Sequence, residues 1–159
     1  MKRFFIVLAV LSTMGIHVMN AQQMQRGMSL FNVGLGLIDG YGYHSSWGLN
    51  VSYDYGLVDT WGPGIFTIGA YAGFDAWTKR WGIAPRVTYR YAINNSFEVF
   101  GTAMLGAYIR IQRKPKDDKI YSLFSSTVGC RYSFTRNLSV FGEIGYGISF
   151  LNGGLSFSF

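Results

Sequence analysis

The chain has 159 residues and a formal net charge of +6, and only 14% of its residues are charged, against about 25% in soluble domains. With 49% hydrophobic residues it is too apolar to be disordered. It has no run of about 18 apolar residues, which excludes a membrane-spanning helix. One cysteine, Cys130, excludes an intramolecular disulfide and a multi-cysteine metal site.

Taken in chain order, the first element is an address. Lys2 and Arg3 precede an unbroken apolar run over 4–11, and a more polar stretch ends at Ala21. This predicts a secretory signal peptide over 1–21, cut near Ala21, and a mature domain over 22–159. The alternative for the same run is a buried N-terminal helix or strand of a cytosolic protein. No cysteine lies near the cut, so a lipoprotein anchor is not expected. Loss of Lys2 and Arg3 lowers the net charge from +6 to +4 and, with His17 also gone, leaves His44 as the mature histidine.

From Met28 onward apolar residues alternate with small or polar ones, the period of a strand. Eight segments are predicted, at about 29–38, 46–56, 65–75, 80–91, 97–110, 121–134, 138–147 and 149–159. Trp47, Leu49, Val51, Tyr53 and Tyr55 share one face of the second, opposite Gly48, Asn50, Ser52 and Asp54. The seventh sets Leu138, Val140, Ile144 and Tyr146 against Ser139, Phe141 and Glu143. The connections 92–96 and 135–137 read as short hairpin turns, whereas 57–64 is longer than a simple meander needs. The final hairpin near Gly147 must be tight.

The two faces choose between a soluble sandwich and a membrane barrel. One face carries the Trp, Tyr, Phe, Val and Leu residues, and the other is mostly Gly, Ser, Thr and Asn. A sandwich that hid the large residues would have little charged surface to hold it in water. Inverting it, with apolar residues outward and polar residues inward, gives an all-β, eight-stranded antiparallel up-and-down transmembrane barrel. The aromatics support this. With the N-terminus in the periplasm, Tyr53, Tyr55, Tyr89, Tyr91, Phe97, Tyr132, Phe134, Phe157 and Phe159 gather at one rim, and Trp47, Trp81, Phe124 and Tyr146 at the other. Leu49, Val51, Ile83, Val87, Ala103, Val128, Val140 and Ile144 lie between. Aromatic girdles around an aliphatic band are the pattern of outer-membrane barrels.

With its signal peptide, eight alternating segments and C-terminal run Leu151-Asn152-Gly153-Gly154-Leu155-Ser156-Phe157-Ser158-Phe159, the chain resembles the small bacterial outer-membrane β-barrel proteins of the OmpX-like group. The resemblance implies location in the outer membrane, contact with its lipids and lipopolysaccharide, and recognition of Leu155, Phe157 and Phe159 by the barrel-assembly machinery. The connections are short, where long outer loops are common in that group. The shared pattern carries many functions.

Catalytic candidates are few. His44-Ser45-Ser46 pairs a base with hydroxyls, as a lipid A-modifying barrel would need, but no acidic residue is placed by sequence to orient the histidine. Gly34-Leu35-Gly36 lacks the third glycine and the helix of a dinucleotide fingerprint, so neither cofactor nor metal is expected. Arg110, Arg113, Lys114, Lys116 and Lys119 cluster around one connection, with Asp117 and Asp118 among them. A nucleic-acid face would need stacking aromatics, and only Tyr121 is near. Arg113, Lys114, Lys116 and Lys119 suit lipopolysaccharide phosphates, or a plain solvated loop. Cys130 falls on the lipid side as an inert filler.

Asp54, Arg86, Arg90, Glu98, Arg131 and Glu143 all fall on the lumen face. An eight-stranded barrel is only wide enough for side chains to fill, so these charges should form a paired network. A turn centred on Asn94 sets Arg90 opposite Glu98, and one centred on Arg136 sets Arg131 opposite Phe141 and diagonal to Glu143, giving each glutamate an arginine. The expected protein is a monomeric, non-enzymatic anchor with a filled lumen, presenting short loops. A narrow pore, a His44-dependent lipid A enzyme and a soluble lipocalin-like barrel are its rivals.

Overall fold

The computed structural model describes residues 24–40, 44–58, 62–75, 79–110, 120–147 and 149–159. The expected signal peptide and the basic run Arg113, Lys114, Lys116 and Lys119 lie outside them. Eight strands follow in chain order: β1 Ser29–Gly40, β2 His44–Val58, β3 Ile65–Asp75, β4 Arg80–Ala92, β5 Phe97–Arg110, β6 Ile120–Ser133, β7 Leu138–Tyr146 and β8 Leu151–Ser158. Each pairs antiparallel with the next, and Leu30 to Leu37 of β1 pair with β8 to close the barrel. Closure removes the free edges that an open sheet would leave unsatisfied, the condition for a sheet to stand in lipid.

The period-two pattern holds through every strand. Leu35, Ile83, Val87, Leu105, Val128 and Ile144 stand exposed on the outer wall. Asn32, Asn50, Thr88, Thr102, Thr127 and Ser156 are buried within. Exposed Tyr53, Tyr55, Tyr91, Tyr132, Phe134, Phe157 and Phe159 mark one end, and Trp47, Trp81, Phe124, Tyr146 and Phe150 the other. Phe66 against Tyr89 and Phe74 against Trp81, each with ring centroids 4.8 Å apart, tie β3 to β4 at the two ends.

Two turns at the tyrosine-rich end share one construction. The Asn94 side-chain oxygen accepts from the backbone N–H groups of Ser96 and Phe97 at 2.9 and 2.8 Å. Thr135 Oγ1 accepts from Asn137 and Leu138 at 3.3 and 3.0 Å. Such side chains cap their own loop because they reach the backbone two and three residues ahead. The capping residue is therefore the first of the loop and not its centre. Ile93 N–H donates to the Phe97 carbonyl, and Phe134 N–H to that of Leu138, so the turns centre on Asn95 and Arg136.

This corrects one expected register. Glu98 stands opposite Ala92, and Arg90 opposite Phe100, so Arg90 and Glu98 are diagonal neighbours and not a direct pair. The β6–β7 register is as expected, with Arg131 opposite Phe141. The long 57–64 connection is partly absorbed by β2, which runs to Val58 through an irregularity between Gly56 and Val58. The last hairpin does turn at Gly147, with φ of 112°, but β7 stops at Tyr146 and β8 starts only at Leu151.

Candidate functional site: the lumen

Inward alternation brings side chains from all eight strands onto one axis. At the centre of the polar layer a single chain of alternating charges crosses the barrel. Arg86 Nε lies 3.0 Å from Asp54 Oδ1, an ion pair without the angle of a hydrogen bond. Arg90 Nη2 donates to Asp54 Oδ2, Arg90 Nη1 to Glu98 Oε1, and Arg131 Nη2 to Glu98 Oε2, each at 2.7 Å. The order is Arg86, Asp54, Arg90, Glu98, Arg131, and all five are buried. Five of the six expected lumen charges are thereby joined.

Hydroxyls and amides complete this layer. Arg86 Nη1 donates to Ser52 Oγ at 2.7 Å, and Arg86 Nη2 to Thr102 Oγ1 at 3.2 Å. Asn32 Nδ2 donates to Ser52 Oγ at 3.0 Å, and Ser156 Oγ donates to Asn32 Oδ1 at 2.6 Å, which links β8 to β1 and β2 across the seam. The Arg90 guanidinium also lies 5.0 Å from the centroid of the Phe100 ring, within cation–π range. Charges taken from water need this degree of partnering, since desolvation alone costs several kcal/mol per ion.

Glu143 departs from expectation. Among the described residues no salt bridge joins it to Arg131, which is bound to Glu98 instead. Asn152 Nδ2 donates to Glu143 Oε1 at 2.6 Å and Thr127 Oγ1 to Oε2 at 3.4 Å. Asn152 also exchanges bonds with Asn50. The physical reason is reach. Glu98 stands directly opposite Arg131 across β5–β6, whereas Glu143 stands directly opposite Asn152 across β7–β8.

Nor is the lumen wholly polar. Toward the tryptophan end Tyr71, Ala84, Met104 and Leu123 form a buried cluster with Tyr108 packed against it. Toward the tyrosine end Met24, Leu30 and Ile65 form another, flanked by Met28. The second depends on residues 24–28, which fold back over the barrel mouth. Gly27 N–H donates to the Gly56 carbonyl at 2.9 Å and Gly56 N–H to that of Met28 at 3.0 Å. Gly56 is needed here, because a Cβ on it would sit 2.3 Å from the Gln25 carbonyl oxygen. The sequence signal for the first cluster was available, since Met104 and Leu123 share the inward parity of Thr102 and Ser125. Nothing in the alternation announces residues 24–28, which precede it.

The filling leaves little space. Cavities beside Tyr71 and Tyr108, and beside Arg131 and Glu143, hold about 10 Å³ each, room for about one water molecule. A larger hollow of about 480 Å³ opens at the tyrosine end, between residues 24–26 and the turn before β3, with Arg90 and Glu98 among its lining.

The remaining sequence candidates divide. Leu155 and Phe157 lie exposed on the outer wall of β8. Phe159 follows that strand, and its backbone exchanges hydrogen bonds of 3.0 and 2.9 Å with Ser29, closing the seam at its last residue. His44 begins β2, but its side chain is outside the described residues. Cys130 is exposed on the outer wall. Among the described residues no group of three or more His, Cys, Asp or Glu is placed to hold a metal ion.

No protein-family model matches the chain, and no curated protein matches it. A solved structure described as "De novo design of transmembrane beta-barrels" is similar over 87% of this chain and 100% of its own, with a TM-score of 0.64 at 13% identity. At that identity the likeness is one of fold: a closed eight-stranded antiparallel barrel of the transmembrane kind.

Proposed function

We propose that this protein is an outer-membrane barrel of the OmpX-like group, serving as a rigid structural or adhesive anchor that presents short connections at the cell surface. The observation that carries this reading is the inversion of the barrel, with an apolar belt exposed outside and a paired, nearly void-free polar layer inside. A soluble barrel would reverse that arrangement. In this reading the signal peptide 1–21 directs export, and the assembly machinery takes the terminal strand with Leu155, Phe157 and Phe159. The tyrosine-rich end faces the periplasm. The tryptophan end then carries the junction of β5 and β6, where Arg110, Arg113, Lys114, Lys116 and Lys119 supply positive charge toward lipopolysaccharide phosphates.

A filled lumen makes the anchor reading testable against a pore. Purified, refolded protein added to planar bilayers should give no sustained conductance, and liposomes containing it should not swell in small sugars. A stable conductance proportional to the amount of inserted protein would overturn the filled-lumen reading.

A further inference from the structure

The strap over residues 24–28 lies outside the closed ladder of the barrel. β1 pairs with β2 from Ser29 and with β8 from Leu30, and Ser29 exchanges two backbone bonds with Phe159. Ser29 Oγ also shares a hydrogen bond of 2.8 Å with Tyr53 Oη, so the chain is fixed where the strap leaves it. The strap turns back through Gly27, at φ of 82°, with Met28 N–H donating to the Gln25 carbonyl at 3.2 Å. Two backbone bonds to Gly56 join it to the wall, and Met24, buried beside Leu30 and Ile65, is its inserted side chain. Gln25 and Arg26 are exposed.

The hollow of about 480 Å³ is lined by Met24, Gln25 and Arg26 of this strap together with Arg90 and Glu98 of the ion chain. Along Gln25 and Arg26 the strap therefore borders space and solvent, not packed side chains. A segment held by a few bonds and one buried side chain is the kind that opens locally without global unfolding. We propose that residues 24–28 are a hinged strap that opens about Ser29 while the barrel stays closed. Seated, it limits the water that reaches the Arg90–Glu98 end of the ion chain, where those two side chains are 3% and 5% exposed. Open, it joins the hollow to the barrel mouth and wets them. The difference matters when a carboxylate is removed: water can serve the arginine of a wetted pair, whereas the arginine of a shielded pair is stranded. The inference goes beyond the anchor reading and does not depend on which end of the barrel faces the periplasm.

Two glycines provide graded variants. A Cβ at Gly27 meets nothing nearer than Tyr55 Oη at 4.0 Å, so Gly27→Ala has room and is penalised only for its left-handed φ. That penalty should shift the seated-to-open ratio about five- to thirtyfold toward open. A Cβ at Gly56 would overlap the Gln25 carbonyl, so Gly56→Ala should displace the strap outright. Spin labels are attached through Gln25→Cys and Ile93→Cys, both at exposed positions, in the full barrel carrying Cys130→Ser. Their distance distribution is measured after refolding into vesicles. The parent should show one narrow distance, Gly27→Ala should add a longer and broader one, and Gly56→Ala should leave only the second, with the folded gel mobility unchanged. In the same vesicles Glu98→Gln should lower the folded-to-unfolded ratio about tenfold less in the Gly56→Ala background than in the parent. A narrow distance that survives in both glycine variants, or one lost only together with the folded gel mobility, would overturn the hinged strap. An equal effect of Glu98→Gln in the two backgrounds would overturn its shielding of the charges.

Discussion

The alternating chain Arg86, Asp54, Arg90, Glu98, Arg131 makes an asymmetric prediction about its own members. Removing Glu98 leaves Arg131 with no carboxylate among its bonded partners, and its Nε and Nη1 already lack hydrogen-bond partners. An uncompensated buried charge of this kind costs about 3–5 kcal/mol, so Glu98→Gln should sit at that level. Removing Asp54 also strands an arginine, but Arg86 keeps the hydroxyls of Ser52, Thr88 and Thr102, so Asp54→Asn should cost less. Removing Arg90, the most connected member, splits the chain into two complete pairs, Arg86 with Asp54 and Glu98 with Arg131. Arg90→Met should therefore cost less than Glu98→Gln, about 1.5–3 kcal/mol, the scale of a hydrogen bond to a charged group, because each carboxylate of the chain keeps an arginine. Adding Arg131→Met to Glu98→Gln removes the orphan and should recover most of the loss. Urea unfolding of the vesicle-refolded barrel, read as the heat-sensitive gel band, gives the order directly. If Arg90→Met destabilises as much as Glu98→Gln, or if the double variant is simply additive, the charges are not organised as this chain.

Two further outcomes test the wall and the seam. Arg in place of Val87 or Val140, both on the outward face, should cost about 2–4 kcal/mol if they face mid-bilayer, whereas Ile93→Arg in the β4–β5 turn should cost little; equal small effects in the same unfolding assay would remove the lipid from the wall. Deleting Phe159 severs its two backbone bonds to Ser29, and the terminal-strand reading expects such protein to accumulate unfolded in the periplasm, so normal membrane yield on fractionation would refute that role.

Much of this architecture was legible because a strand reports its two faces at every second residue. Leu49 against Asn50, or Val87 against Thr88, fixes inside and outside without any knowledge of the partner strand. What alternation does not carry is the offset between strands. The turn at 93–96 shows why: centring it on Asn94 rather than Asn95 shifts every pairing of β4 with β5 by two residues. A shift of two preserves which face each side chain takes, so Arg90 and Glu98 stay inside and within reach, and only their relation changes. Partner choice in the lumen depends on that offset and on closure. The β6–β7 hairpin taken alone puts Glu143 beside Arg131, while β5 on the other side of Arg131 presents Glu98 directly opposite. The strap over 24–28 was not legible at all. Its fit depends on Gly56, and a glycine within a strand equally marks a bulge or a bend.

The charge arithmetic of the lumen also argues against conduction independently of the two apolar clusters. The chain of five carries one more arginine than carboxylate, and Glu143, held apart by Asn152 and Thr127, supplies the missing negative charge. The cavity that Arg131 and Glu143 both line holds about 10 Å³, so the surplus charges of opposite sign share one water-sized space. The six groups are thus neutral as a set while no single chain of contacts is. An ion that reached this layer could pass only by displacing bonds of 2.7 Å between buried partners. Each such bond broken exposes a desolvated charge, the most expensive event available in this interior. In the filled-lumen reading these charges are spent on each other across the barrel rather than left free for a permeating ion.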